Sequence, residues 1–206
     1  MANFINKYLN QSAYDADNTK QYPNTSLVGT DIVYQMTEPT FGGLTVKYNI
    51  VDATQEVTLF NGGGESSGSS ESSSESGGGG ALPTTMIVDG VSETPINTWR
   101  FETAGEHIVQ YEFADNIVPP SFIDSNVGTA TDVIVGTDIT GINPAAFNKE
   151  LTSATCLSTT PPTINSNDTF GIGQNYPIYV PAESVATYKA AGTQWSSLES
   201  RIFAIQ

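Results

Sequence analysis

The sequence predicts a mainly β fold built from short strands. Many segments are rich in Val, Ile, Tyr, Phe and Thr and end at Gly, Pro or Asn, the pattern of strands joined by turns. A weak repeat follows in the C-terminal half, with starts 21 residues apart at Ala130 and Leu151. Hydrophobic residues make up 38% of the 206 positions and aromatic residues 10%, so the chain can build a core around these strands.

The charge balance excludes several classes of partner. The chain has 7 Lys+Arg against 22 Asp+Glu and a formal net charge of −15, so we expect no nucleic-acid partner and no attraction to anionic membranes. A single Cys excludes an internal disulfide and a cysteine-based zinc site. The first twenty residues contain no apolar run of the length that a signal peptide or membrane span requires. We therefore expect synthesis in the cytoplasm without membrane insertion.

The first region, residues 1–30, has a short apolar stripe. Four of its large apolar residues fall at i, i+1, i+4 and i+5, which predicts one short helix that fades before residue 15. Such a stripe cannot bury itself alone, so it either packs on its own domain or docks on another subunit. The candidate anchor residues are Phe4, Ile5, Tyr8, Leu9 and Tyr14.

The second region, residues 31–115, predicts a small antiparallel, Ig-like β-sandwich. The last two of its six predicted strands are separated by Ala104 and Gly105 and predict a hairpin. The predicted strands are Asp31–Met36, Leu44–Ile50, Gln55–Phe60, Thr84–Val88, Thr98–Phe101 and His107–Phe113.

A low-complexity tract at residues 62–80 interrupts this region. It consists of 8 Gly, 8 Ser and 3 Glu, so it predicts a flexible acidic loop that enters no core. The tract has no Lys and no following helix, which excludes a phosphate-binding loop.

The third region, residues 116–206, predicts stacked coils closed by a cap. The segments Ala130–Phe147 and Leu151–Phe170 each have a strand, a turn, a further apolar residue and a terminal Phe. A period in the low twenties is typical of solenoid coils that bury their faces against each other. A last strand at 177–180 precedes a predicted helix that begins after Pro181 and ends before Gly192. The residues expected to complete the cap are Trp195, Leu198, Ile202 and Ile205.

The C-terminal region resembles a known family. The stretch LTSATCLSTTPPTI, the stretch PIYVPAESVATYKAA and the final RIFAI, all between Leu151 and Ile205, resemble the end of BspA-like leucine-rich repeat proteins of Bacteroidales and their phages. Gly105–Phe113 is similar to the strand that leads into those repeats. The resemblance implies a short, degenerate leucine-rich-repeat β-solenoid with a C-terminal capping helix.

The N-terminal region carries a second resemblance. Phe4–Gly29 is similar to the N-terminal module of virion proteins from crAss-like phages of gut Bacteroidales, which occur as head fibres or in tail appendages. This implies a non-enzymatic head fibre or capsid-decorating protein on the virion surface, homotrimeric and anchored to capsid or other virion proteins through residues 1–30. Adhesin-like coils without a secretion signal fit a protein that leaves the cell by lysis. The alternatives are a host-binding tail-fibre or surface-adhesin module that recognises glycan or protein, and a carbohydrate-active enzyme.

The reactive residues predict no catalytic, cofactor or metal site. His107 is the only histidine and the chain has no G-x-S-x-G elbow, so we interpret it as a turn histidine rather than a catalytic base. Cys156 occupies an inward strand position, which indicates a buried thiol. Four acids near turns suit backbone hydrogen bonding better than glycoside hydrolysis. These acids are Asp115, Asp124, Asp132 and Asp138. The acids near residue 15 lack the Gly and the final Glu of a calcium loop.

Four aromatic residues near the C-terminus form a candidate ligand face. They can either stack on sugar rings or pack in the core and cap, and packing is the favoured interpretation. These residues are Tyr176, Tyr179, Tyr188 and Trp195.

Overall fold

The computed structural model divides the chain into two units, residues 1–40 and residues 41–206. It describes residues 7–8, 32–33, 41–61, 82–124, 126–127, 129–171, 173–190 and 194–206. In the first unit, β1 (Lys7–Tyr8) pairs antiparallel with β2 (Ile32–Val33). Lys7 and Tyr8 are therefore extended and do not form the helix that the apolar stripe predicts. The anchor candidates Phe4, Ile5, Leu9 and Tyr14 and the tract at 62–80 lie outside the described residues.

The second unit is mainly β and contains mixed sheets. Its largest sheet has eight strands in the order β15-β14-β12-β10-β3-β8-β5-β6. These are β3 (Leu44–Ile50), β5 (Thr85–Val88), β6 (Val91–Glu93), β8 (Gly105–Glu112), β10 (Ala130–Val135), β12 (Ser153–Cys156), β14 (Ile178–Val180) and β15 (Ile202–Ala204). A three-stranded sheet has the order β13-β11-β9, from β9 (Ile117–Val118), β11 (Gly141–Ile142) and β13 (Thr163–Ile164). A two-stranded sheet pairs β4 (Val57–Thr58) with β7 (Thr98–Trp99).

The C-terminal half consists of parallel ladders. In the large sheet β10, β12, β14 and β15 pair in parallel, while β9, β11 and β13 pair in parallel in the smaller sheet. The chain thus alternates between the two sheets, and the register of β10 with β12 joins Asp132 to Ser153, 21 positions later. The repeat in the sequence therefore corresponds to successive strands at equivalent places in one sheet.

The antiparallel strands β3, β5, β6 and β8 belong to the same large sheet. Strand β3 lies between β10 and β8 and is antiparallel to both. We expected a separate sandwich ending at residue 115, but strands from both sides of that position are hydrogen-bonded to each other. The predicted hairpin of Thr98–Phe101 with His107–Phe113 is wrong, because β7 pairs with β4 and β8 pairs with β3 and β5.

The core lies between the large sheet and the two smaller ones. Alternate side chains of β3 are buried, among them Leu44, Val46 and Tyr48, as the period of two in a strand requires. At the centre, the ring of Phe122 lies 5.0 Å from that of Phe60, with the two rings stacked. This contact joins a residue on each side of the expected boundary at 115.

A cap of short helices closes the C-terminal end. The predicted helix after Pro181 is a 3-10 turn (Ala182–Ser184) followed by α1 (Val185–Tyr188), and a second 3-10 helix (Gln194–Arg201) leads into β15. Of the four residues predicted to complete the cap, Trp195, Leu198 and Ile202 are buried and Ile205 is partly exposed. The indole Nε1 of Trp195 donates to the backbone oxygen of Pro162 at 2.8 Å, which ties this helix to the residues just before β13. Among the described helices, none combines the length and apolar character needed to cross a bilayer.

Candidate binding face

The register of the eight strands aligns one residue from each strand in a row across the large sheet. The pairs run from Phe203 through Tyr179 at one edge to Ile87 and Ser92 at the other. In order, the cross-strand row is Phe203, Tyr179, Thr155, Ile134, Thr45, Gln110, Ile87 and Ser92. Because side chains alternate along a strand, the row lies on the face opposite the buried core residues.

The row is accessible over most of its length. Phe203 is 49% exposed and Ser92 is exposed at the two ends. Five of the six residues between them are partly exposed, whereas Thr45, between Ile134 and Gln110, is 8% exposed. The row therefore forms a surface rather than a second core layer.

Charged side chains flank the middle of the row, on β10, β3 and β8, but do not enter it. Along the same face, Asp132 is paired in register with Lys47 and with Ser153, whose hydroxyl donates to the Asp132 carboxylate at 2.7 Å. The Nζ of Lys47 lies 3.6 Å from Oε1 of Glu106. On the other side of the row, Glu112 is paired with Thr85.

An aromatic pair ends the row at the edge of the sheet. The rings of Tyr179 and Phe203 lie 6.4 Å apart, on neighbouring strands, at an interplanar angle of 48°. Tyr179 was among the predicted ligand residues, but Phe203 was not. The sequence has no apolar–polar alternation there that could have identified it, since Phe203 lies between the apolar Ile202 and Ala204.

The other three predicted ligand aromatics pack inside the protein. Tyr176, Tyr188 and Trp195 are buried, and each polar atom donates to a backbone oxygen. The guanidinium of Arg201 lies 4.5 Å from the Tyr176 ring centre. Burial raises the pKa of the Tyr176 and Tyr188 hydroxyls, as expected for enclosed phenols. A sugar platform made from all four residues is therefore wrong, and the packing interpretation accounts for these three.

The His107 side chain links the turn at Asp89 to the one at Thr103 through its two ring nitrogens. Its Nδ1 lies 2.7 Å from Oδ2 of Asp89, and its Nε2 lies 2.9 Å from the backbone oxygen of Thr103. The ring lies 4.3 Å from that of Phe101, and only 8% of the residue is exposed. Both nitrogens are engaged by the fold, and no serine hydroxyl among the described residues is hydrogen-bonded to them, which agrees with the turn interpretation.

Cys156 and two of the four predicted turn acids have structural roles. Cys156 is buried, and desolvation raises the pKa of its thiol to about 12, so it stays protonated at neutral pH. Asp115 and Asp124 each accept a hydrogen bond from a backbone N–H two residues later, the turn role that the sequence predicts.

One groove on the described surface lacks the paired acids of a glycosidase. A groove of about 450 Å³ beside Leu151 and Tyr176 contains a single carboxyl group, that of Glu150, among its described lining residues. Glycoside hydrolysis needs two carboxyl groups flanking the bond, so this groove lacks the necessary pair. Among the described residues, no group of three His, Cys, Asp or Glu is placed to hold a metal ion.

Comparisons with known proteins give no family for this chain. No protein-family model matches it, and no curated protein matches its sequence.

Proposed function

We propose that this protein is a non-enzymatic structural component of a phage particle, a head fibre or capsid-decorating protein. Residues 1–30 attach it to the capsid or another virion protein, and the β-rich unit that follows projects outward on the virion surface. The observation that carries this proposal is the division of the chain at Thr40 and Phe41, because it separates the candidate anchor from the unit that contains the main core. The resemblance of Phe4–Gly29 to virion modules supports the direction of attachment.

The parallel ladders support a finer assignment of the fold. Strands β10, β12 and β14 and their partners β11 and β13 are successive coils of a short, degenerate leucine-rich-repeat solenoid, and α1 belongs to its cap. Strand β8, with β9, leads into these coils from the antiparallel half. We further propose a homotrimer, for which light scattering on the purified protein should give three times the protomer mass of 21.9 kDa.

Deletion of residues 1–40 tests the attachment. The boundary follows the structural division, since deleting only residues 1–30 would leave β2 without its partner β1. We expect residues 41–206 to melt cooperatively and to lose binding to particles that lack this protein. A matched control replaces residues 62–80 by an Asn-Gly turn, which removes a tract with no apolar residue and should leave particle binding unchanged.

Two results would contradict the attachment model. Particle binding by residues 41–206 equal to that of the full chain would remove residues 1–40 as the anchor. Loss of folding on deletion would place the segment in the protein's own core instead.

Recognition of a host surface is the second candidate function. The uncharged cross-strand row favours it. The protein has a net charge of −15, and a role in capsid decoration alone does not explain an accessible row without charged residues. A surface adhesin or tail-fibre module would use such a strip for contact with glycan or protein.

A further inference from the structure

The cross-strand row has a shape that restricts its partner. Eight strands at the usual spacing of about 4.8 Å place Phe203 and Ser92 roughly 34 Å apart. The flanking residues on the same face lie two positions away along each strand, about 7 Å on either side. The row is therefore long and narrow, with an area of about 240 Å².

This area is too small for a stable protein interface. A standard interface buries about 800 Å² on each partner, more than three times the area of the row. Extending the contact along the strands would bring the partner over Asp132, Lys47 and Glu106 on one side and Glu112 on the other. A second copy of this acidic chain would bring like charges to that extended contact. A linear polymer that crosses the strands avoids both difficulties.

The composition of the row indicates an uncharged polymer. None of its eight residues is charged, and the protein's charge of −15 repels anionic chains. Hydroxyl and amide side chains at Thr155 and Gln110 lie among the apolar Ile134 and Ile87, so the row offers both hydrogen-bonding groups and apolar contacts. Sugar rings have the same character, since each presents hydroxyl groups at its rim and C–H groups on its faces.

We propose that the cross-strand row binds a linear, uncharged polysaccharide laid across the strands of the large sheet. Tyr179 and Phe203 stack on sugar rings at one end, while Thr155 and Gln110 hydrogen-bond to hydroxyl groups along the row. This inference deepens the second candidate function, host recognition, and is independent of how residues 1–30 attach the protein.

Native gel electrophoresis of the full chain in polysaccharide-containing gels tests the proposal. The probes are dextran, yeast mannan and laminarin as neutral polymers, with polygalacturonate as the anionic comparison. We expect at least one neutral polymer to retard the wild-type protein and polygalacturonate to have no effect. Dissociation constants follow from the retardation at several polymer concentrations.

Two pairs of variants locate the contact. Phe203→Ala removes an aromatic face from the row and should weaken retardation about tenfold. Its control is Val51→Ala, which truncates a side chain that is 85% exposed and lies outside the row.

Gln110→Glu places a charge in the row and should also weaken binding about tenfold. Its control is Gln55→Glu, which adds the same charge at an exposed turn and should leave binding unchanged. Melting curves confirm that all four variants fold.

The following results would contradict the proposal. It is wrong if no neutral polymer retards the wild-type protein, or if Phe203→Ala and Gln110→Glu are retarded as strongly as their controls. Stronger retardation by polygalacturonate would refute the charge argument. Loss of particle binding in Gln110→Glu, with polysaccharide retardation intact, would assign the row to a virion protein instead. The deletion of residues 1–40 tests attachment separately, so the two failures are distinguishable.

Discussion

Replacing Phe122 by alanine should destabilise residues 41–206 as one unit. The Phe122 side chain is 1% exposed, and its ring lies 5.0 Å from Phe60, 5.1 Å from Tyr111 and 5.3 Å from Phe113. Truncating a fully buried Phe costs about 3–5 kcal/mol, because transfer free energy is lost and a cavity remains. For a unit of this size each kcal/mol lowers Tm by about 2–4 °C, so we expect a fall of about 6–20 °C.

The two tryptophans allow each half of the unit to be followed by fluorescence. Trp99 lies in β7, over the antiparallel strands, and Trp195 lies in the C-terminal cap. Urea unfolding is measured with and without Phe122→Ala in two backgrounds, Trp99→Phe and Trp195→Phe, each of which leaves a single reporter. Because one continuous sheet joins the halves, the free energy of unfolding should fall equally in both backgrounds.

The control for this experiment is Phe203→Ala, which truncates the same residue type where it is 49% exposed. Because about half of the side chain is exposed, its free energy of unfolding should change by about 1 kcal/mol, well below the loss expected for Phe122→Ala. A shift of the Trp99 transition with an unchanged Trp195 transition would refute the reasoning. It would mean that the regions before and after residue 115 unfold independently despite their shared sheet.

Three further predictions concern a glycine, the buried tyrosines and the thiol. Gly136→Ala places a Cβ 2.3 Å from backbone oxygens and should lower the free energy of unfolding by about 1–3 kcal/mol. The Cβ of Gly141→Ala meets only a side chain at 3.3 Å, so urea unfolding should show a smaller loss for this variant. Burial raises the pKa of Tyr48 and Tyr111, so stability should hold below pH about 10 and fall above it as unfolded tyrosines ionise. Phenolate absorbance from these two residues that precedes unfolding would contradict this. Cys156 should resist thiol reagents until urea unfolds the protein, and rapid labelling of the native protein would show that its burial is not maintained.

Local patterns in the sequence predicted individual strands better than their partners. The limits of β3 agree with the prediction, because Leu44–Ile50 combines β-branched residues with a preceding glycine pair. The β5–β6 hairpin was missed although Asp89 and Gly90 carry its signal, and both have positive φ, 48° and 85°. The hairpin before β8 was predicted wrongly for a different reason. Strand β7 pairs with the distant β4, and no local sequence pattern specifies that partner.

The candidate site was predictable only in part for the same reason. Tyr179 could be selected as an aromatic residue in a C-terminal strand, but its neighbours in the row come from seven other strands. Their alignment depends on register, and in particular on β3 lying between β8 and β10. Periodicity assigns each residue to a face of its strand, whereas the order of strands follows from long-range packing.

The insertion of β3 also makes the two sheets unequal in width. In the large sheet β3 separates β8 from β10, whereas in the small sheet the following strands β9 and β11 pair directly. The distance from β8 to β10 in the large sheet therefore exceeds the distance from β9 to β11 in the small sheet by one strand spacing, about 4.8 Å. Phe122, which lies in the chain between β9 and β10, packs its ring against those of Phe60 and Phe113.

Between β10 and β12, and between β11 and β13, both sheets pair directly, and the strand β12 contributes the small buried residues Ala154 and Cys156. The large rings of Phe147 and Phe170, 5.5 Å apart, are also buried in the core. The same insertion supplies Thr45, which joins the parallel and antiparallel parts of the cross-strand row. The strand that separates β8 from β10 is thus also the one through which the register of the two parts of the row is joined.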